Sequence, residues 1–198
     1  EYVSVYRGGK LNKRKKISGR GKGVFGCALG SLELYEWLDD NHGIAAYPLE
    51  YVNRPSVIAQ IDNMVSINSC VAVDLYGQVA AESAGARQIS GTGGQLDFLI
   101  GASASRGGKA FIYMSSVHTD RHGGKHSRIK PQFDGDIITS PRSQVYFLAT
   151  EYGVINLEGR STWERAEALI SIAHPDFRDM LVREAQERKI WRRSNKRG

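Results

Sequence analysis

Apolar and polar positions alternate along the chain in short runs punctuated by glycine. Val24 to Leu29 is a compact apolar run suited to a buried strand, and the helical spacing of Leu32, Tyr35, Trp37 and Leu38 follows, with Ser31 as the expected cap. After the turn at Asn41-His42-Gly43, residues Ala45 to Val52 read as strand, and Pro55 opens a short helix through Val57, Ile58 and Ile61. Met64 to Ile67, Val71 to Leu75 and Gly77 to Ala81 supply further extended pieces. Beyond Gly91-Thr92-Gly93-Gly94 come the segment Leu96 to Ala104 and a strongly apolar strand, Ala110 to Met114. A polar, His- and Gly-rich loop is expected from Val117 to Lys125. Ile137 to Thr139 and Val145 to Ala149 read as two more strands, and helices close the chain from about Thr162 to Ala173 and from Pro175 to about Trp191. Strands interleaved with helices predict an α/β fold with a mostly parallel sheet covered on both faces.

Composition narrows the class. The 198 residues are 41% hydrophobic and 24% charged, enough for one ordinary domain with its own core. Cys27 and Cys70 are too few and too far apart for a disulfide scaffold or a four-cysteine zinc site, and read as buried thiols of a reducing cytoplasm. No apolar run reaches the length of a membrane span, so the chain reads as soluble. The net charge of +6 sits at the two ends, in Lys10, Lys13, Arg14, Lys15, Lys16, Arg20 and Lys22 and again from Arg188 to Arg197. With the middle nearly neutral, the second cluster reads as a solvated tail rather than a nucleic-acid surface, whereas the first lies close enough to a glycine-rich stretch to meet phosphates.

Four segments carry candidate chemistry. Gly91-Thr92-Gly93-Gly94-Gln95 has the glycine content that lets backbone N–H groups approach an oxyanion or phosphate, although a plain connecting turn has the same composition. It lacks the Lys-Ser/Thr of a Walker loop and the spacing of a dinucleotide fingerprint. His118, His122 and His126 share a loop with Asp120, Arg121, Lys125 and Arg128, which invites a metal site; Gly123-Gly124 argues against the helix that would align them. A basic loop folding over an anionic ligand fits that composition better, and no metal ligand is assigned. Glu151, just after an apolar strand, is a candidate acid, base or nucleophile, or else a hydrogen-bonded structural carboxylate; Asp74, Glu82 and Asp97 share the ambiguity. His42 and His174 read as structural.

Several motifs in order resemble the C-terminal domain of the acetyl-CoA hydrolase/transferase family, which includes 4-hydroxybutyrate, butyryl-CoA:acetate and succinyl-CoA:acetate CoA-transferases. They are Tyr51-Val52-Asn53-Arg54-Pro55, Asp62 to Ser69, Val73-Asp74-Leu75-Tyr76-Gly77-Gln78, Gly91 to Phe98, Ser127-Arg128-Ile129, Thr150-Glu151-Tyr152-Gly153, Glu164-Arg165-Ala166 and Ala173 to Arg178. The resemblance implies a three-layer NagB/RpiA/CoA-transferase-like domain over residues 23–190, a linker over 1–22 from a missing N-terminal domain, and a basic tail over 191–198. It implies a homodimeric enzyme that moves CoA from an acyl-CoA to a short-chain carboxylate through a glutamyl-CoA thioester, with CoA as substrate and no permanently bound cofactor.

On the same resemblance Gly94, with Gly93 beside it, is the oxyanion donor and CoA-binding glycine, and Asn53 is the active-site asparagine. Val71 lines the CoA site, and Lys125 contacts the CoA phosphates or pantetheine. The family's nucleophilic glutamate precedes the segment that Gly9-Lys10-Leu11 resembles, and Glu1 falls several residues too near Gly9 to be it. The chain alone is therefore expected to be inactive. The stretch from His118 to Lys125 departs from the family's Ser-Thr-Ala pattern. An acetyl-CoA hydrolase, in which water replaces the carboxylate, and a non-catalytic module with basic ends are the rival readings.

Overall fold

The structure is a computed structural model that describes residues 2–9 and 21–190. Most of the first basic cluster, from Lys10 to Arg20, and the last eight residues lie outside the described residues. The chain forms two compact units, Glu1–Met64 with Gly101–Gly108, and Val65–Ile100 with Lys109–Gly198.

In the first unit, α1 (Tyr2–Arg7) is followed by β1 (Gly23–Phe25), α2 (Leu32–Leu38), β2 (Ile44–Ala46), α3 (Leu49–Val52) and α4 (Pro55–Ile58). β1 and β2 pair in parallel from Gly23↔Ile44 to Phe25↔Ala46. The apolar run that reads as strand to Leu29 stops at Phe25, because β2 is three residues long and offers no further partner. The predicted strand from Ala45 to Val52 is likewise cut short. Pro48 cannot donate to a ladder, and its carbonyl instead accepts the N–H groups of Tyr51 and Val52 and starts α3. Ser31 stands at the N-cap of α2 as expected, but its hydroxyl makes no cap hydrogen bond. Pro55 does open α4. Its Ile58 is buried where Gly101 comes close, since a Cβ on Gly101 would lie 2.6 Å from that of Ile58.

The second unit holds a four-stranded sheet of β3 (Val65–Ser69), β8 (Lys109–Tyr113), β12 (Phe147–Thr150) and β13 (Gly153–Asn156), in the order β13-β12-β8-β3. The first three are parallel, and β13 returns antiparallel to β12. The helix α5 (Gln95–Ala104) starts in the connection from β3 to β8. A second sheet sets β4 (Ala72–Asp74) between parallel β11 (Ile129–Lys130) and antiparallel β5 (Val79–Ala80). Two hairpins, β6 (Ser83–Ala84) with β7 (Arg87–Gln88) and β9 (Val117–Thr119) with β10 (Lys125–Ser127), complete the strands. The fold is α/β with mixed, mostly parallel sheets, as predicted.

Leu75, Leu99, Ile112, Ile129, Leu148, Leu157, Leu169 and Leu181 are fully enclosed in this unit. The last two come from α6 (Thr162–Ser171) and α7 (Pro175–Glu187), each set off by a local signal. Ser161 and Glu164 form a reciprocal capping box on α6, and His174 accepts the Asp176 N–H at the start of α7. Two expectations fail here. Ile137 to Thr139 is no strand: the Thr139 hydroxyl accepts from the amides of Ala81 and Glu82, and only Ser140 bridges to Val79. The polar stretch from Val117 to Lys125 is not an open loop but the β9–β10 hairpin. Among the described residues no helix is long and apolar enough to cross a membrane.

Candidate functional site

The glycine turn leads directly into α5. Gly94 accepts the Phe98 N–H at 3.0 Å, which makes it the residue before the first helical turn, and the amides that follow it have no intrahelical acceptor. Gly93 holds φ at +59°, a left-handed conformation that favours glycine, and a Cβ there would meet open space. Backbone N–H groups at the positive end of a helix dipole, on a solvent-facing turn with glycine at three of its four positions, can receive a developing negative charge. Asp97 adds its carboxylate to the first turn of the same helix.

What fixes this turn is Gln95. Its side chain is buried, with Nε2 donating to the Ser69 carbonyl at 2.8 Å and Oε1 accepting from the Ser140 hydroxyl at 2.9 Å. Ser69 ends β3, and Val71 follows two residues later, with its N–H on the Ala80 carbonyl at 2.9 Å. Thus Gln95 ties the start of α5 to the end of β3, a parallel strand whose carboxyl end leads on to Val71, the end at which α/β sheets carry their ligands. At the other end of the turn, the Glu82 carbonyl accepts from Ile89 at 2.7 Å and from Ser90 at 3.3 Å. Glu82 is buried and its Oε2 has no hydrogen-bond partner.

Lys125 begins β10, opposite Thr119, and its side chain is exposed. The hairpin that carries it is organised by Asp120, whose Oδ1 accepts the N–H groups of His122 and Gly124 and whose Oδ2 meets His126 Nε2 at 2.7 Å. Those bonds, that of His126 first, draw the Asp120 carboxyl down to about 2. His118 stacks on His126 with ring centroids 4.9 Å apart, and burial, aided by the charges of His126 and Arg128, lowers its pKa. Among the described residues no group of three or more His, Cys, Asp or Glu side chains could hold a metal ion. The hairpin runs on into Arg128, whose carbonyl accepts the Val73 N–H at 3.0 Å. The Arg128 charge is felt at Cys70, although burial dominates and pushes that thiol up to about 12.

Glu151 takes the hydroxyl and the amide of Ser116 at 2.6 and 2.8 Å. Burial pushes its carboxyl up, but these bonds and its own backbone N–H outweigh the burial and leave it below the usual glutamate value. Asp74 is fully enclosed and holds the amides of Tyr76 and Gln78 and the Gln78 side chain; burial raises its pKa. Both are structural by their bonding. Asn53 belongs to the first unit, where it caps the C-terminus of α3 through its N–H on the Leu49 carbonyl, with a half-buried side chain. In that unit a cavity of about 240 Å³ is lined by Phe25, Cys27, Leu29, Leu34, Trp37 and neighbouring residues, none of them a predicted site residue. Sequence reasoning did not single out Gln95, although it lies inside a quoted motif; only its three-dimensional partners, Ser69 and Ser140, reveal what it holds in place.

Known proteins resemble this chain in sequence and fold. The chain is 53% identical over all its 198 residues to a probable butyrate:acetyl-CoA coenzyme A-transferase of Syntrophomonas wolfei, and 48% identical over 98% of its length to a butyryl-CoA:acetate CoA-transferase of Anaerostipes caccae. It spans 44% of the length of each. The crystal structure of RipA from Yersinia pestis superposes with a TM-score of 0.87 at 42% identity, over 95% of this chain and 42% of that one. Residues 30–185 match the acetyl-CoA hydrolase/transferase C-terminal domain, and the chain belongs to that family.

Proposed function

We propose that this chain is the CoA-binding half of a CoA-transferase that moves CoA from an acyl-CoA to a short-chain carboxylate through a glutamyl-CoA thioester. One observation carries the reading: a bare glycine turn, its amides at the start of α5, tied through Gln95 to the strand end that leads to Val71. Attack of a glutamate on the thioester carbonyl builds negative charge on its oxygen, and the Gly94 N–H, with Gly93 giving the turn its shape, receives that charge. Val71 lines the path of the thiol end of CoA. Lys125, together with the Arg128 charge, meets the phosphates or the pantetheine amides, and Asn53 orients the acyl group. Glu151 and Asp74 keep structural roles, so the nucleophile is supplied by a part of the longer protein that these residues do not include. A homodimer of that longer polypeptide in the cytoplasm belongs to the same proposal.

Calorimetric titration with CoA, paired with a transfer assay using butyryl-CoA and acetate, tests this division of labour. Weak binding without turnover is the expected result for the 198-residue chain. Turnover by this chain alone, abolished on changing one of its own carboxylates, would refute it. Release of free CoA in the absence of a carboxylate, by the longer protein, would favour the hydrolase reading. Salt-dependent retention on DNA with no CoA binding would favour a binding module.

A further inference from the structure

The turn from β4 to β5 borders a polar cavity of about 200 Å³ lined by Tyr76, Gln78, Gln132 and Arg142. It lies at the far end of β4 from Val71: the Val71 N–H reaches the Ala80 carbonyl at one end, and the Asp74 N–H reaches the Gln78 carbonyl at the other. Gln132 joins it because β11 runs parallel to β4 and ends at Lys130, whose carbonyl accepts the Leu75 N–H at 3.0 Å. Between two of the lining residues Gly77 holds φ at +88°, and a Cβ there would lie 3.0 Å from Arg165 Nη1. The bare α-carbon thus lets that guanidinium lie against the turn. Arg165 Nη1 donates to the Arg142 carbonyl at 3.0 Å and its Nε to the Arg160 carbonyl at 3.2 Å, which fixes the planar fork with further N–H donors to spare. Two arginines meet at one hollow, Arg142 in its wall and Arg165 against the turn that forms it.

Among the described residues neither arginine is paired with a carboxylate. The acidic side chains on the neighbouring turns are engaged elsewhere: Asp74 with Tyr76 and Gln78, Asp136 with Lys130, and Glu164 with Ser161. Burial, and then the Arg142 charge, lower the Arg165 pKa against an opposing influence of Tyr146, the direction expected of two cations held close without a counter-charge. We propose that the hollow between Arg142 and Arg165 is a binding site for a small oxyanion, a phosphate or carboxylate group. An anion relieves the repulsion between the two cations, and the guanidinium fork matches a two-oxygen edge. Tyr76 and Gln132 bring neutral hydrogen-bonding groups to the same wall, and Gln78 is held in place by its Nε2 donating to Asp74 Oδ2 at 2.7 Å. The volume is below the roughly 300 Å³ at which pockets for drug-sized ligands begin, so a free anion or a single head group fits better than a nucleotide. The site shares no residue with the proposed CoA cleft and does not depend on that reading.

Titration of the 198-residue chain, ¹⁵N-labelled at arginine, with sodium phosphate and separately with sodium succinate at constant ionic strength tests it, the side-chain Nε–H signals being followed. Saturable shifts at Arg142 and Arg165 are expected, and Arg142→Gln should weaken the binding about tenfold or more. Gln132→Glu, on an exposed side chain, sets a negative charge in the hollow and should weaken binding as strongly without disturbing the core. Whichever anion is held more tightly names the head group, and saturation by either supports the site. Binding that both substitutions leave unchanged overturns the proposal, as do shifts that never saturate. Phosphate binding lost in Lys125→Ala but kept in Arg142→Gln would assign the anion to the CoA cleft and overturn it as well. Normal anion binding here by a chain that holds no CoA would sink the proposed function and leave this site standing.

Discussion

The two units are held together differently. In the second, leucines from three helices and the central strands close a core in which Leu99, Leu148, Leu169 and Leu181 are shut off from solvent. Among the described residues the first contributes only Val3, Ile58 and Ala102 as buried apolar residues, and neither α2 nor α3 buries any side chain. Its shape comes from local backbone devices instead. Pro48 and Pro55 start helices, and Asn63 at φ 55° bonds its N–H to the Arg106 carbonyl. Asp62 pairs with Arg106 across the same turn. Local signals specify where a chain bends, but burial supplies most of the free energy that keeps it there.

Matched substitutions sharpen this contrast. The largest effect is expected from Leu148→Ala, which removes a fully enclosed side chain and should lower unfolding stability by about 2–5 kcal/mol, whereas Leu32→Ala on α2 should change it by less than about 0.5 kcal/mol. Denaturant titration of both variants decides the matter, and equal losses would erase the distinction. Gln95→Leu comes next. It strips the Ser69 carbonyl and the Ser140 hydroxyl of their buried partner, at a cost of about 1–3 kcal/mol, and should weaken CoA binding because the turn loses its anchor. A variant that loses stability but binds CoA normally would show that the side chain supports the core and not the turn. The two serine caps offer a smaller, paired comparison. Ser161→Ala breaks a formed capping box and should cost about 1 kcal/mol, while Ser31→Ala removes a hydroxyl that makes no cap bond and should be close to neutral.

The smallest effect is a pH dependence of the β9–β10 hairpin. A carboxyl held below its ordinary value stabilises the fold at pH values above that ordinary value, and the contribution is lost as pH falls through the folded pKa. For Asp120 the window runs from 3.8 down to about 2. Exchange protection of the Gly124 amide should persist at pH 5 and fall across that window, and Asp120→Asn should remove the transition.

How legible these features were in the sequence follows the same division. The strands from Ala110 and Val145 and the helices α6 and α7 could be read because each carries its own apolar run or cap. The overlong strand at Ala45 to Val52 and the false one at Ile137 to Thr139 misled because apolar composition does not reveal how far a partner strand extends; one is cut off by Pro48, the other overruled by the distant amides that Thr139 satisfies. The hairpin hid behind glycine and histidine, since its order depends on a single carboxylate accepting two amides and an imidazole. Within the site, the glycine turn was visible as composition. Gln95 was not, because its meaning lies in Ser69 and Ser140, 26 and 45 residues away along the chain.

The most direct test follows the backbone amides of ¹⁵N-labelled protein during titration with CoA. The largest shifts are expected at Gly93, Gly94 and Gln95, with smaller ones at Val71 and along the hairpin that carries Lys125. Saturable CoA binding that leaves the glycine amides unmoved while perturbing residues elsewhere would contradict the account.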